Sequence, residues 1–242
     1  MDAADIGWVA LFTALAAWCQ AVTGFGFSLL VVPPLSIAIG PRQAVVVANL
    51  LSTFLGMLTA GRLHHTVDWQ LGGRLLAGAV VGMPVGVAVL LTVEPGLLKL
   101  VIAATVLAST VILWRGWRIR RSSQAGDLAA GFLSGVLNTS TSMSGPPVVV
   151  YLQGRGVEAA RFRATLAAYF LASSAIAVAM LTAGGEVRLS SLGLAAVGAA
   201  TVFPAWAAGM RVARHVPEQL FRRLVLATLV LSAIAATVST LT

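Results

Sequence analysis

The sequence predicts an all-α polytopic membrane protein of two inverted repeats, each a short, interrupted or re-entrant helix pair followed by three spanning helices. Three observations lead there. Apolar runs near 20 residues recur along the whole chain, the length that crosses a hydrocarbon core of about 30 Å. The two halves carry matching motifs in the same order. Arginines gather in alternate connectors, the pattern by which short loops set orientation. Composition agrees: 58% of the 242 residues are hydrophobic and only 10% charged, with a mean hydropathy of +0.93, where a soluble domain carries about 25% charged residues.

Residues 1–242 are read as one transmembrane domain, with repeat one at 6–113, a basic connector at 114–127 and repeat two at 128–241. Apolar segments are expected at about 6–22, 27–39, 44–61, 69–91 and 97–113 in the first repeat. In the second they fall at about 128–137, 148–152, 164–181, 189–210 and 224–241. The first two of each set look too short or interrupted to cross alone. "VVPPL" aligns with "GPPVV" through Pro34 and Pro147, an offset of 147 − 34 = 113. "ANLLSTFL" aligns with "ATLAAYFL" at 164 − 48 = 116, Gly78 with Gly198 at 198 − 78 = 120, and "AATVL" with "LATLV" at 226 − 103 = 123. One duplication with small loop insertions explains such a series, and internal repeats in membrane proteins point to transporters.

Charge orients the chain. With Arg115, Arg118, Arg120 and Arg121 of the connector in the cytoplasm, "GRLHHTVD", "RGVEAARFR" and "RVARHVPEQLFRR" also fall inside, and both termini fall outside. An odd number of crossings per half makes the halves inverted. A net charge of +8 is thereby a topology signal, and no nucleic-acid partner is expected. Cys19 is the only cysteine, so neither an intrachain disulfide nor a cysteine metal cluster can form. The stretch before it carries Asp2 and Asp5 without a positive charge, which is wrong for a cleaved signal. His64, His65 and His215 are loop histidines beside arginines, so no metal and no cofactor are expected.

The chemistry concentrates in two interruptions. "NTSTSMSGPP", residues 138–147, sets five hydroxyls and an amide between apolar runs and ends on two prolines. Proline lacks an N–H and cannot continue a helix interior, so residues 138–147 read as a helix break at membrane depth. Its partner is "TGFGFSLLVVPP", residues 23–34. Irregular backbone at that depth is tolerated where it lines a cavity or is buried in protein. An isolated Ser or Gly in a membrane helix mostly serves close packing, and the series Gly78, Gly82, Gly86 with Gly131, Gly135 is read that way. A polar cluster at a Pro-Pro break in both halves reads instead as a substrate site. The candidates are Thr23, Gly24, Gly26, Ser28, Asn49, Asn138, Thr139, Ser140, Thr141, Ser142, Ser144, Gly145 and Arg163. Helix N-termini and hydroxyls favour anions. Acidic residues such as Asp68, Glu94, Asp127, Glu158 and Glu186 all fall at segment ends or loops, whereas a cation pathway usually needs carboxylates within the membrane.

"GFGFSLLVVPPL", "PRQAVVVANLL", "VDW", "SGPPVVVYLQGRG" and "FRATLAAYFL" together resemble the sulfite exporter TauE/SafE family of bacterial membrane proteins, over about residues 7–240. The resemblance implies a carrier of small anions in the inner membrane, often sulfur oxyanions or organosulfonates such as sulfite or sulfoacetate, usually moved outward. Family members typically carry glycines before the second Pro-Pro, where this chain has Asn138, Thr139 and Ser140. The expected function is therefore export of a small anion by alternating access, with an anion channel or a non-transporting membrane scaffold as alternatives. An enzyme is not expected: "SMSGPP" is only faintly like an intramembrane serine protease motif, and no later span holds a histidine to act as base. The expected partners are a small anionic substrate and the lipid bilayer; the sequence leaves a homo-oligomer open.

Overall fold

A computed structural model describes residues 3–115 and 123–213. The last expected segment, 224–241, and most of the connector's arginines lie outside the described residues. Among these residues the chain is all-helical. The helices are α1 (Ala3–Thr23), α2 (Phe27–Ala38), α3 (Pro41–Leu63), α4 (Trp69–Thr92), α5 (Pro95–Arg115), α6 (Gln124–Thr141), α7 (Gly145–Gly154), α8 (Ala159–Ala183) and α9 (Leu189–Ala213), with a 3₁₀ turn at His64–Thr66. Five of them, α1, α3, α4, α8 and α9, are long and apolar enough to cross a membrane.

Side chains fix several boundaries. Asp68 caps α4 by accepting from the Leu71 N–H at 3.0 Å. Ser123 caps α6 by accepting from the Gly126 N–H at 3.0 Å. Such caps satisfy backbone donors that have no partner inside the helix. At the other end of α4, the Arg42 guanidinium donates to the Leu91 carbonyl at 2.8 Å, a cation where the helix dipole is negative.

Two sequence expectations change here. The first segment of each repeat is longer than expected, because α1 has 21 residues and α6 has 18. The polar stretch 138–141 does not interrupt α6 but forms its last turn. The connector is correspondingly shorter, since α6 already begins at Gln124. Only α2 and α7 are short, with 12 and 10 residues, or about 18 Å and 15 Å of helix.

The helix boundaries give an offset between the two halves that differs from the Pro-Pro match. The ends of α1 and α6 differ by 141 − 23 = 118, and the starts of α3 and α8 by 159 − 41 = 118. The Pro-Pro pairs matched at an offset of 113 stand at different places in their helices. Pro33 and Pro34 sit inside α2, whereas Pro146 and Pro147 follow Gly145 in the first turn of α7, where a missing N–H costs no helix bond.

Packing joins the two halves of the chain. α3 lies against α8 at the centre, close enough that a Cβ on Gly56 would sit 2.9 Å from the Leu171 Cα. α4 packs along α6, and α1 packs along α9. On the α4–α6 seam, a Cβ on Gly78 would strike the Leu128 carbonyl, one on Gly82 the Phe132 carbonyl, one on Gly131 the Leu75 carbonyl and one on Gly135 the Ala79 carbonyl. The glycine series is thus a backbone-to-backbone contact, as expected of small residues between membrane helices. Leu11, Leu15, Val81 and Phe203 point outward and are exposed, which suits a hydrocarbon solvent.

Candidate functional site

Both helix breaks are three residues long. In the first, Gly24 and Gly26 take the left-handed region at φ 84° and 100°. In the second, Ser142 takes it at φ 61°, the one non-glycine residue to do so among the described residues. Gly24 and Ser142 each directly follow the last residue of a helix, α1 and α6, and stand 142 − 24 = 118 positions apart. The Gly24 N–H donates to the Gln20 carbonyl at 2.7 Å, and the Ser142 N–H donates to the Asn138 carbonyl at 2.8 Å. The same turn therefore ends α1 and α6, as left-handed residues commonly end helices.

The breaks meet at one small cavity of about 30 Å³, the space of a water or two. Its walls are Gly26, Phe27, Ser28 and Leu29 from the start of α2, and Ser142, Met143, Ser144 and Gly145 from the second break. Gln20 of α1, Ser52 of α3, and Phe170 and Ser174 of α8 complete them. The Ser28 hydroxyl lies 3.2 Å from the Ser52 hydroxyl and 3.2 Å from that of Ser142, which joins both breaks and α3 in one hydroxyl cluster. Among the described residues no charged side chain lines the cavity. A larger cleft of about 690 Å³ between α5, α6 and α7 is lined by residues such as Val101, Leu133, Leu137 and Val150. It offers few polar groups for a charged ligand.

Five expected site residues, Gly26, Ser28, Ser142, Ser144 and Gly145, thus line one cavity. The others stand behind it. The Thr23 hydroxyl donates to the Phe25 carbonyl at 2.6 Å and lies 2.8 Å from the Cys19 carbonyl. Thr139 donates to the Met83 carbonyl at 2.7 Å, across the α4–α6 seam. Ser140 and Thr141 donate to the Val136 and Leu137 carbonyls of their own helix at 2.7 and 2.8 Å. Arg163 does not line the cavity; its Cγ would lie 3.6 Å from a Cβ on Gly24. Asn49 and Asn138 are fully buried one turn from Ser52 and Ser142.

Sequence reasoning missed Gln20, Ser52, Ser174 and Phe170. Gln20 stands 138 − 20 = 118 positions before Asn138, the offset of the helix boundaries, so the pairing of the two comes from the structure. Its Oε1 accepts from the Phe27 N–H at 3.0 Å and so caps α2. Also missed was a buried relay behind the second break. Tyr169 donates to the Ser134 hydroxyl at 2.7 Å, and Ser134 donates to the Ser144 carbonyl at 2.5 Å. Asp127, read as a segment-end residue, is buried at 1% exposure, with Arg155 2.6 Å and Arg74 3.4 Å away. Among the described residues no group of three His, Cys, Asp or Glu could hold a metal ion.

Broken helices that meet at a polar cavity inside a bundle of spanning helices are the architecture of a membrane transporter. The chain belongs to the sulfite exporter TauE/SafE family, whose family model matches residues 9–236. It is 29% identical over 197 residues to a protein of Comamonas testosteroni described as a probable inner membrane transporter protein TsaS, a match covering 78% of this chain and 80% of that protein. No solved structure matches the chain.

Proposed function

We propose that this transporter carries a small anion, a sulfur oxyanion or organosulfonate of the sulfite or sulfoacetate kind, out across the inner membrane by alternating access. The carrying observation is that α2 and α7 both begin at the one hydroxyl-lined cavity. Each helix start brings backbone donors and the positive end of a helix dipole. The serine hydroxyls add further donors, and among the described residues no acidic side chain is there to repel an anion. The family's description and the relative's inner-membrane description support the substrate class and the location.

A cavity of about 30 Å³ is too small for such an anion, so the site widens to admit it. That favours a carrier with an enclosed state over an open channel. The inverted relation of the repeats is part of the same proposal. Exchanging the repeats turns the α4–α6 pair into the α9–α1 pair and leaves α3–α8 unchanged, as a pseudo-two-fold axis requires. The termini lie outside the cytoplasm and the 114–127 connector within it. Among the described residues no carboxylate or histidine lines the cavity. Outward movement then follows the inside-negative potential, worth about 2.3 kcal/mol per charge per 100 mV.

The test is flux of labelled sulfite and sulfoacetate in proteoliposomes, with potential and pH gradient set independently. Saturable, potential-dependent flux is expected. Flux of a sulfonate that depends strictly on a pH gradient would exclude this coupling, and no flux of any small anion would exclude the carrier. Accessibility labelling of single introduced cysteines tests the orientation; a connector labelled only from the periplasm would overturn it.

A further inference from the structure

Two amides beside the cavity remain unexplained by simple anion binding. Asn49 and Asn138 are 0% and 1% exposed. The Asn49 Nδ2 donates to the Val45 and Asn138 carbonyls at 3.1 and 3.2 Å. Those bonds fix which end of the amide is which, and they leave its Oδ1 buried with no donor. Both the Oδ1 and the Nδ2 of Asn138 are buried without a partner. Buried polar groups are nearly always hydrogen-bonded, so each exception asks for a missing partner.

The positions say where that partner sits. Asn49 precedes Ser52 by three residues on α3, so that amide shares a helix face with a cavity hydroxyl, and Asn138, in the last turn of α6, stands one turn before Ser142, whose N–H bonds its carbonyl. The counterpart of Asn138 in the first repeat, Gln20, spends its oxygen on the Phe27 N–H that opens α2. Asn138 is one methylene shorter and makes no such bond to the start of α7. One repeat closes its amide on itself, and the other keeps its amide open.

We propose that Asn49 and Asn138 read a hydrogen-bond donor on the transported anion, so that the site prefers a small anion bearing an O–H or N–H over an aprotic anion of the same charge and size. The proposal rests on the anion-carrier reading above and narrows its substrate class. Asn49 Oδ1 is an acceptor and meets only lone pairs on an aprotic oxyanion. An anion with a hydroxyl or a retained proton supplies the donor there and leaves its charged oxygens to the Asn138 Nδ2 and the serine hydroxyls. A site built to bond a substrate hydroxyl rejects the analogue lacking it, because its own buried group is then left unpaired.

The experiment compares 2-hydroxyethanesulfonate with propane-1-sulfonate, equal in charge and nearly equal in size, by calorimetric titration of the purified full-length protein. The hydroxyl form is expected to bind about tenfold more tightly, the equivalent of about 1.4 kcal/mol. Asn49→Leu is expected to abolish the preference, so that the two sulfonates bind within about twofold of each other. Folding should survive, since the Asn138 carbonyl keeps its bond from the Ser142 N–H; a thermal melt checks this. Asn138→Gln should reach the start of α7 as Gln20 reaches that of α2, and weaken both ligands. Equal affinities in the wild type overturn the proposal whatever the variants do, and mean that the amides hold only water. An undiminished preference in folded Asn49→Leu also overturns it. So does a preference that appears only with added sodium, which would make the amide oxygens a cation site. Binding of neither sulfonate nor sulfite removes the anion-carrier reading itself.

Discussion

At the first break, what the turn needs lies within the eight residues from Gln20 to Phe27. Glycines take the left-handed positions, Thr23 covers the Phe25 carbonyl, and Gln20 covers the Phe27 N–H. At the second break the same turn is held from a distance. Ser134 of α6, backed by Tyr169 of α8, covers the Ser144 carbonyl, and Asn49 of α3 covers the Asn138 carbonyl. A serine stands in the left-handed position, and an amide is left open. The first break is locally closed; the second depends on the helices around it. A turn that draws its partners from other helices changes when those helices move, so the second break is the better placed to couple ligand binding to rearrangement.

The largest expected effect comes from removing what holds the second break. Gly135→Leu drives a side chain into the Ala79 backbone and separates α4 from α6. Overpacking against backbone should cost about 3 kcal/mol or more, measured as loss of monodisperse protein after detergent extraction. Wild-type yield would mean that the seam does not support the break.

Ser134→Ala comes next. It strips the partner from both the Ser144 carbonyl and the Tyr169 hydroxyl, at about 2–4 kcal/mol for two buried groups. Thr23→Val strips only the Phe25 carbonyl and should cost about half as much. Denaturant unfolding of the purified variants compares them. Equal costs would erase the contrast between a locally closed and a remotely held break.

The smallest effects come from exchanging the turn residues. Gly24→Ala has room beside it but places a Cβ at φ 84°, and should destabilise by about 1–2 kcal/mol. Ser142→Gly relieves the corresponding strain and should leave the melting temperature unchanged or higher. It also removes a hydroxyl from the Ser28 cluster, so anion binding should weaken while stability does not. Parallel loss of both would mean that Ser142 serves only packing.

Much of this was legible in the chain. Long apolar runs, the paired breaks and the glycine seam follow from hydropathy, from proline's missing N–H and from glycine's lack of a Cβ, all of which are local properties. The shifted register was not. Two prolines look alike wherever they stand, but only packing tells a proline inside α2 from one in the first turn of α7. Of the residues expected at the site, Gly26, Ser28, Ser142, Ser144 and Gly145 line the cavity, whereas Thr139, Ser140 and Thr141 bond carbonyls behind it. A hydroxyl in a membrane helix can face a cavity or bond a carbonyl four residues back, and its sequence neighbours are the same in both cases. Sequence alone determined that this is a polytopic protein with two polar breaks, because hydrophobic length and backbone chemistry are written residue by residue. Tertiary structure alone decided that Gln20, Ser52 and Ser174 join the cavity, that Tyr169 stands behind it, and that Asn138 stays open while Gln20 closes. Those facts depend on distances between helices far apart in the chain, set by how closely glycine lets their backbones approach.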